Sequence, residues 1–431
     1  MTALEGLLRP VSARVRAVLE ACLEGRELDV ESALELDAAR GRDLLALGAV
    51  ADELRTRQVG DVVTYVVNRN INFTNVCVKA CKFCAFSRDL RSEQGYLLST
   101  EEVVRRAQQA RDFGATEVCL QAGLLPEAQG RLYVEIVRAV KRALPELHIH
   151  AFSPEEIKYG AALSRVPVRE FLLELKEAGL GSLPGTSAEI LDDGIRARIA
   201  PGRISTQQWI DVITTAHELG IPTTSTMMFG HVETARDRVA HLALLRDLQK
   251  RSGGFTEFVP LSFVHAEAPL FLEDQDGAVS AGPTGDAIVR LYATARLMLG
   301  ATFKNIQASW VKEGLRTAQS LLSSGVNDLG GTLMNESIST AAGAQHGQLV
   351  APRTLRRLIR DSGRVPGERS TRYQVLRTFD ANPGAIDERE PLDTVHDSRA
   401  VFGSYQDLLN DPRFHYEWSP DAHKRSLRVL S

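Results

Sequence analysis

From Asp61 onward the chain alternates short β-rich runs with longer amphipathic ones, and this rhythm constrains the fold more than any other feature. Six runs read as strands: 65–74 (YVVNRNINFT), 116–123, 147–153, 180–185, 221–230 and 255–264, with two weaker ones at 303–310 and 325–331. The stretches between them carry apolar residues three and four apart. One of them, STEEVVRRAQQARDFG, opens on Ser99 and Glu102 in capping-box spacing and ends at Gly114. Eight strands with intervening helices predict an α/β fold, a (β/α)8 barrel of the TIM type, with an open doubly wound sheet as the alternative. Several strands have apolar bodies and polar or glycine-rich C-terminal tips (QAG, HAFS, LPGTSAE, FGHVE, VHAEAP, NDLGGT). In a barrel such tips gather on one rim, where active sites are built.

The rhythm is absent at both ends. Residues 1–60 read as an N-terminal helical cap, 61–372 as the barrel, and 373–431, polar and proline-bearing and then aromatic, as a C-terminal extension. Hydrophobic residues make up 44% of the 431, enough for a barrel core. The net charge of −4, with dispersed basic residues, lacks the electrostatic footprint of a nucleic-acid binder. No apolar run approaches the roughly 20 residues of a membrane span, and the N-terminus reads as helix rather than signal peptide. Five cysteines, an odd and low number, make no disulfide framework, so a reducing cytoplasm is the expected compartment.

Three of those five cysteines crowd into NFTNVCVKACKFCAF: Cys77, Cys81 and Cys84, spaced C-x3-C-x2-C. Their i, i+4, i+7 spacing would suit a buried helical stripe, but the preceding run reads as a strand. A closed structural zinc site wants four ligands and only one knuckle is present; a histidine could complete it, or an open catalytic zinc could use three. An iron–sulfur cluster suits the soft thiolates, and three of them on four irons leave one iron open to a small molecule. Phe83 would shield such a cluster. Cys22 and Cys119 read as core.

C-x3-C-x-aromatic-C in the loop after the first strand of a β/α barrel resembles the radical S-adenosylmethionine (SAM) superfamily. That resemblance implies a [4Fe–4S] cluster on Cys77, Cys81 and Cys84, with SAM chelated to the open iron and cleaved to a 5′-deoxyadenosyl radical. It also implies SAM contacts at Gln121, Ala122 and Gly123, a variant of the usual glycine-rich segment. Glu189 is similar to the acidic residue that takes the SAM ribose or amine. Arg196, seven residues on, can pair with the SAM carboxylate.

A longer series of segments narrows the resemblance. NRNINFTNVC, HAFSPEEI, GLGSLPGTSAEIL, TTSTMMFGHVET, GGFTEFVPLSFVHAEAP and NDLGGTLMNESIS run in order. Together they resemble the tyrosine-dependent subunit of deazaflavin (FO) synthase more than two menaquinone (futalosine-pathway) enzymes of the same group. The implied substrates are L-tyrosine and 5-amino-6-(D-ribitylamino)uracil, and the implied reaction joins the p-hydroxybenzyl group of the first to the second. A single cluster motif implies a separate ring-closing subunit as functional partner, together with an external electron donor. The strand tips agree with a polar substrate, offering Asn72, Thr74, His150, Ser153, Ser225, Gln307, Ser309, Asn327, Asp328, Thr332, Asn335, Glu336 and Glu267. Histidine is the side chain whose ordinary pKa lies near neutrality, so His231 and His265, with Glu257, are the candidate catalytic groups.

Overall fold

The computed structural model describes residues 3–126 and 130–418. Strands β1 (Val62–Val66) and β2 (Asn68–Ile71) make one nearly continuous stave. They are followed by β3 (Glu117–Leu120), β4 (His148–Ala151), β5 (Thr223–Phe229), β6 (Phe255–Ser262) and β7 (Asp328–Gly331). Pairing is parallel throughout this set: β2 with β3, β3 with β4, β5 with β6, and β7 with β1. Two staves are reduced to single bridges. His150 bridges Ser182 and Leu183 bridges Thr223, while Phe258 bridges Ile306 and Gln307 bridges Asp328. These bridges close a ring of eight parallel staves, so the barrel forms and the open sheet does not. The two thin staves coincide with the runs 180–185 and 303–310. The first of them carries Gly181, Pro184 and Gly185, which leave little backbone to pair.

Helices cover the outside of the ring and bury residues such as Trp209, Leu242 and Leu291 against it. The helix Thr100–Asp112 begins as expected, with Ser99 Oγ accepting from the Glu102 N–H at 3.2 Å. Its capping box stays half-made, because the Glu102 carboxylate turns to Arg105 and Arg106, each at 2.7 Å. The N-terminal segment folds into four helices, Ala3–Leu8, Ala13–Leu23, Val30–Asp37 and Arg42–Val59. Leu36, Leu47 and Val50 are buried there, and the last of the four helices packs on Gly285–Leu299.

Beyond the eighth stave the chain adds a hairpin. β8 (Val365–Arg369) runs parallel to the start of β1, from Val62 opposite Val365 to Tyr65 opposite Glu368, and antiparallel to β9 (Val375–Thr378). The expected boundary at 372/373 falls in the turn of this hairpin, where Tyr373 is left-handed at φ 62°. The chain that follows is laid back on the barrel. Asp387 accepts from Arg356 at 2.8 Å and from Arg360 at 2.6 Å, and the Tyr405 hydroxyl donates to the Phe86 carbonyl at 3.0 Å.

Candidate active site

A cavity of about 420 Å³ runs from the C-terminal rim of the barrel into its interior, and Cys77, Cys81 and Cys84 all line it. They sit in the loop that leaves β2. Backbone and side-chain bonds fix its course: the Arg88 N–H donates to the Asn75 carbonyl at 2.8 Å, the Cys77 N–H to the Arg88 carbonyl at 3.0 Å, and the Tyr96 N–H to Asn75 Oδ1 at 2.9 Å. A Cβ on Gly123 would stand 2.3 Å from the Val76 carbonyl, so glycine there lets the cysteine loop lie directly on the tip of the neighbouring stave. The Cys84 N–H closes a turn on the Cys81 carbonyl at 3.0 Å. All three thiols are free. Burial pushes the Cys77 thiol up and the Cys81 thiol up to about 12, the latter against the pull of Arg203. The Lys79 N–H points at Cys77 Sγ from 3.4 Å.

The adjoining wall is made by the next three tips. Gln121, Ala122 and Gly123 line the cavity. The Gln121 amide donates to Thr186 Oγ1 at 2.6 Å, and the Ala122 N–H donates to Glu156 at 3.0 Å. Glu156 is buried, which pushes its carboxyl up to about 7. Glu189 also lines the cavity, with a left-handed backbone at φ 42° two residues after Ser187 at φ 66°, a strained pair at the rim. One Glu189 oxygen accepts from Arg203 at 2.8 Å; the other, Oε2, is buried without a partner.

Arg203 is the cation of this wall. It reaches Glu155 at 3.2 Å as well as Glu189, hydrogen-bonds Ser187, and lies 5.8 Å over the Phe83 ring. Arg196 is not in the cavity. Its guanidinium donates to the carbonyls of Ile204 (2.6 and 3.0 Å) and Ala188 (2.6 Å), which anchors the loop. The turn at Pro201–Gly202, with Gly202 at φ 77°, brings Arg203 back where Arg196 was expected.

The cavity floor lies inside the barrel and is charged. Glu117, His150, Glu257, Gln307, Arg369 and Thr371 line it. Asn68 donates to Glu117 at 2.8 Å, and His150 Nδ1 contacts Ser182 Oγ at 2.7 Å. Burial pushes the Glu117 carboxyl up, but His150, Thr371 and Asn68 outweigh it and hold the group below its usual value. Arg369 makes a two-pronged pair with Asp328, at 2.5 and 3.0 Å, and stacks 3.9 Å over the Tyr373 ring. The Tyr373 hydroxyl binds Glu257. Burial pushes Glu257 up to about 7, against the pull of Arg369. Arg369, Thr371 and Tyr373 all belong to the β8–β9 hairpin, which thereby furnishes part of the floor.

Of the three candidate catalytic groups, only Glu257 lines the cavity. His231 is locked into the turn after β5: its Nε2 donates to the Met228 carbonyl at 3.0 Å and its Nδ1 accepts from the Val232 N–H at 2.7 Å. His265 packs edge-on against Phe271, with centroids 4.6 Å apart, outside the cavity. Among the polar tips, His150, Ser153, Gln307, Ser309 and Glu336 line it. Others tie staves together: Asn72 donates to the Gln121 carbonyl at 2.9 Å, Ser225 to the Glu257 carbonyl at 2.8 Å, and Thr332 to the Asn68 carbonyl at 3.0 Å. Cys119 was expected in the core and instead lines the cavity, because its side chain points inward from β3; Cys22 is buried.

The radical SAM superfamily profile matches residues 71–245, and a profile described as the CofH/MqnC C-terminal region matches 252–381. Over 366 residues the chain is 47% identical to the 5-amino-6-(D-ribitylamino)uracil–L-tyrosine 4-hydroxyphenyl transferase of Methanothermobacter thermautotrophicus, covering 85% of this chain and 99% of that one. The chain belongs to this family of radical SAM transferases. It is also 50% identical over 340 residues to the FO synthase of Mycobacterium leprae, covering 79% of this chain and 39% of that longer protein. These relatives carry deazaflavin names rather than those of the menaquinone-pathway enzymes. The fold is also that of the [FeFe]-hydrogenase maturase HydG from Carboxydothermus hydrogenoformans (TM-score 0.65, 16% identity, 100% of both chains covered).

A radical SAM transferase uses a [4Fe–4S] cluster and SAM, and the residues present fit both. Three free thiols, the softest donors in the chain, line one cavity wall. Among the described residues no three His, Cys, Asp or Glu side chains group around a single metal ion. A cubane makes no such demand, since each thiolate takes a separate iron. The unpartnered Glu189 Oε2 is an acceptor waiting for a hydroxyl or amine.

Proposed function

We propose that this chain joins the p-hydroxybenzyl group of L-tyrosine to 5-amino-6-(D-ribitylamino)uracil, a step toward the deazaflavin FO and coenzyme F-420. The observation that carries this reading is 47% identity across 99% of an archaeal enzyme of that name, in a chain where Cys77, Cys81 and Cys84, all free, face one cavity. When bound, the cluster and SAM supply a deoxyadenosyl radical that takes a hydrogen atom from the substrate.

The chain's own residues bind and orient. Cys77, Cys81 and Cys84 hold the cluster. Glu189, oriented by Arg203, would take the SAM ribose through its free oxygen, and the cavity-lining 121–123 segment would hold the methionyl part. Below them Glu117, His150 and Gln307 offer the donors and acceptors that a ribityl chain and a uracil ring require. Glu257, poised near neutrality, holds or releases a proton at the carboxylate that faces Tyr373. A separate ring-closing subunit and an external electron donor complete the reading, since one cluster motif is present. Free cysteines support a reducing, cytoplasmic setting, and among the described residues no helix is long and apolar enough to cross a membrane.

The test is anaerobic turnover of reconstituted protein with SAM, a reductant, L-tyrosine and the diaminouracil. Mass spectrometry should find the p-hydroxybenzyl adduct only when both substrates are present. SAM cleavage indifferent to both would overturn the reading.

A further inference from the structure

Four basic side chains of lysine or arginine line the cavity: Lys79, Arg203, Lys312 and Arg369. Three are matched. Lys79 lies 3.6 Å from Glu155, Arg203 pairs with Glu155 and Glu189, and Arg369 pairs with Asp328. Lys312 is different. It sits on the short helix Trp310–Glu313 that follows the seventh stave, and among the described residues its ammonium has no hydrogen bond and no ion pair.

The two carboxylates that face Lys312 are engaged elsewhere. Both oxygens of Glu313 accept from the Ser262 hydroxyl, at 2.7 and 2.8 Å. Those of Glu336 accept from the Ser339 N–H at 2.9 and 3.1 Å, and one also accepts from Thr340 at 3.3 Å. Burial pushes Glu313 up to about 7 and Glu336 above its usual value, which weakens both as counter-ions. Cys84 is the remaining anionic neighbour, and only as a thiolate. Burial pushes the Lys312 ammonium itself below its usual value, a cost that an anion beside it relieves. A lysine turned into a cavity and left without an ion pair marks the place of an anionic group on the ligand.

The carboxylate of SAM would be taken by the open iron, and the other two substrates of the proposed reaction differ in this respect. The ribitylaminouracil is neutral, whereas tyrosine carries an α-carboxylate. We propose that Lys312 anchors the α-carboxylate of L-tyrosine, so that the amino-acid head lies under the seventh and eighth staves, beside the cysteine loop. This rests on the transferase reading above. It makes Lys312 a positioning and specificity residue, one that selects an amino acid over its decarboxylated amine.

The experiment measures binding of L-tyrosine and of tyramine, which lacks the carboxylate, to cluster-reconstituted full-length wild type, Lys312→Met and Lys312→Arg. Wild type should prefer tyrosine by about tenfold or more, the scale of a charge-assisted hydrogen bond. Lys312→Met should bind the two alike, through loss of tyrosine affinity alone, and Lys312→Arg should restore the preference. Iron content and the electron paramagnetic resonance spectrum of the reduced cluster should be the same in all three. If wild type forms the tyrosine adduct but Lys312→Met keeps its preference, this assignment is wrong and the transferase reading stands. If Lys312→Met loses the cluster or weakens both ligands equally, Lys312 serves the cluster and the assignment also fails. A wild type that neither binds nor consumes tyrosine removes the transferase reading itself, and this inference with it.

Discussion

The rim and the floor of one cavity are assembled in opposite ways. At the rim the three cysteines lie within residues 77–84 of one loop, partly buried, on backbone bonds that the loop makes largely with itself and with the next tip. At the floor Glu117, His150, Glu257 and Arg369 come from four separate strands spread along the chain, all buried, and each is held by a side chain from another part of the chain: Asn68, Ser182, Tyr373 and Asp328 respectively. A local loop can change its chemistry without disturbing the barrel. A floor of interlocked buried charges cannot, because removing one member leaves another unpaired in a low dielectric.

The largest effect expected from this contrast is at the rim, and it is functional. Replacing any one of Cys77, Cys81 or Cys84 by alanine should abolish the four-iron absorbance and all SAM cleavage, because in the proposed cluster each thiolate holds its own iron. The same variants should unfold near the wild-type denaturant midpoint when both are compared without cluster. A large loss of stability in the cluster-free Cys84→Ala chain would show that rim and floor are not separable in this way.

At the floor the largest effect is structural. Arg369→Met strips Asp328 of its two-pronged partner and Glu257 of a cation 3.8 Å away. Breaking one side of a buried pair costs about 3–5 kcal/mol. Denaturant unfolding should report that loss, and adding Asp328→Asn to Arg369→Met should recover part of it, since the stranded charge is gone.

These two regions also mark what was legible in the sequence. The rim was readable because its chemistry is contiguous: a strand, then three cysteines at fixed spacing. The eight staves were readable because the switch from period two to period 3.6 is a local pattern. The floor was not, since nothing local in RVPGERSTRYQVLRTF says that a hairpin there returns to the first stave and delivers Arg369 and Tyr373 beneath the cavity. Residue type alone misled at His231, whose ring is consumed by its own turn. It misled also at Arg196, whose guanidinium is spent on the Ile204 and Ala188 carbonyls, while the Pro201–Gly202 turn brings Arg203 to the cavity wall instead. Lys312 gave no sequence signal, for an unpaired ammonium is a property of its neighbours.

The pH dependence of stability sharpens the comparison next. Glu257 has its carboxyl raised from an ordinary 4.5 to about 7, with burial as the chief cause. Between those values the folded chain holds a proton that the unfolded chain has lost, so this group's contribution is full below about pH 4.5 and declines as pH rises toward 7. Glu257→Gln should therefore flatten the fall in stability across that window in chemical unfolding at a series of pH values. The rim cysteine variants should leave the slope of that window unchanged.

Within the rim, Glu189 and Arg196 separate binding from scaffolding. Glu189→Gln keeps the shape, removes the charge facing Arg203 and weakens the acceptor proposed for SAM. It should raise the KM for SAM about tenfold, the equivalent of roughly 1.5 kcal/mol, with little change in unfolding. Arg196→Lys cannot span the Ile204 and Ala188 carbonyls together. It should lower stability while SAM affinity, measured at a temperature where the chain is folded, holds near wild type. A SAM effect of equal size in both variants would mean that Arg196 reaches the cofactor after all.

The smallest effect tests how far the rim depends on chain outside the barrel. The helix Tyr405–Asn410 lies against the cysteine loop, with the Tyr405 ring 5.3 Å from that of Phe86 and its hydroxyl on the Phe86 carbonyl. Tyr405→Phe keeps the ring packing and deletes the hydroxyl's bond to the Phe86 carbonyl, worth about 1 kcal/mol, together with the longer contact it accepts from the Asn75 amide at 3.5 Å. Because the loop keeps its own bonds and the backbone bonds that tie Gly95 and Leu97 to Tyr416 and Phe414, that loss should stay local. Amide hydrogen exchange should speed up in residues 75–97 and remain unchanged in β3, β4 and β6. Faster exchange across the floor strands would mean that the C-terminal segment braces the whole barrel rather than the rim alone.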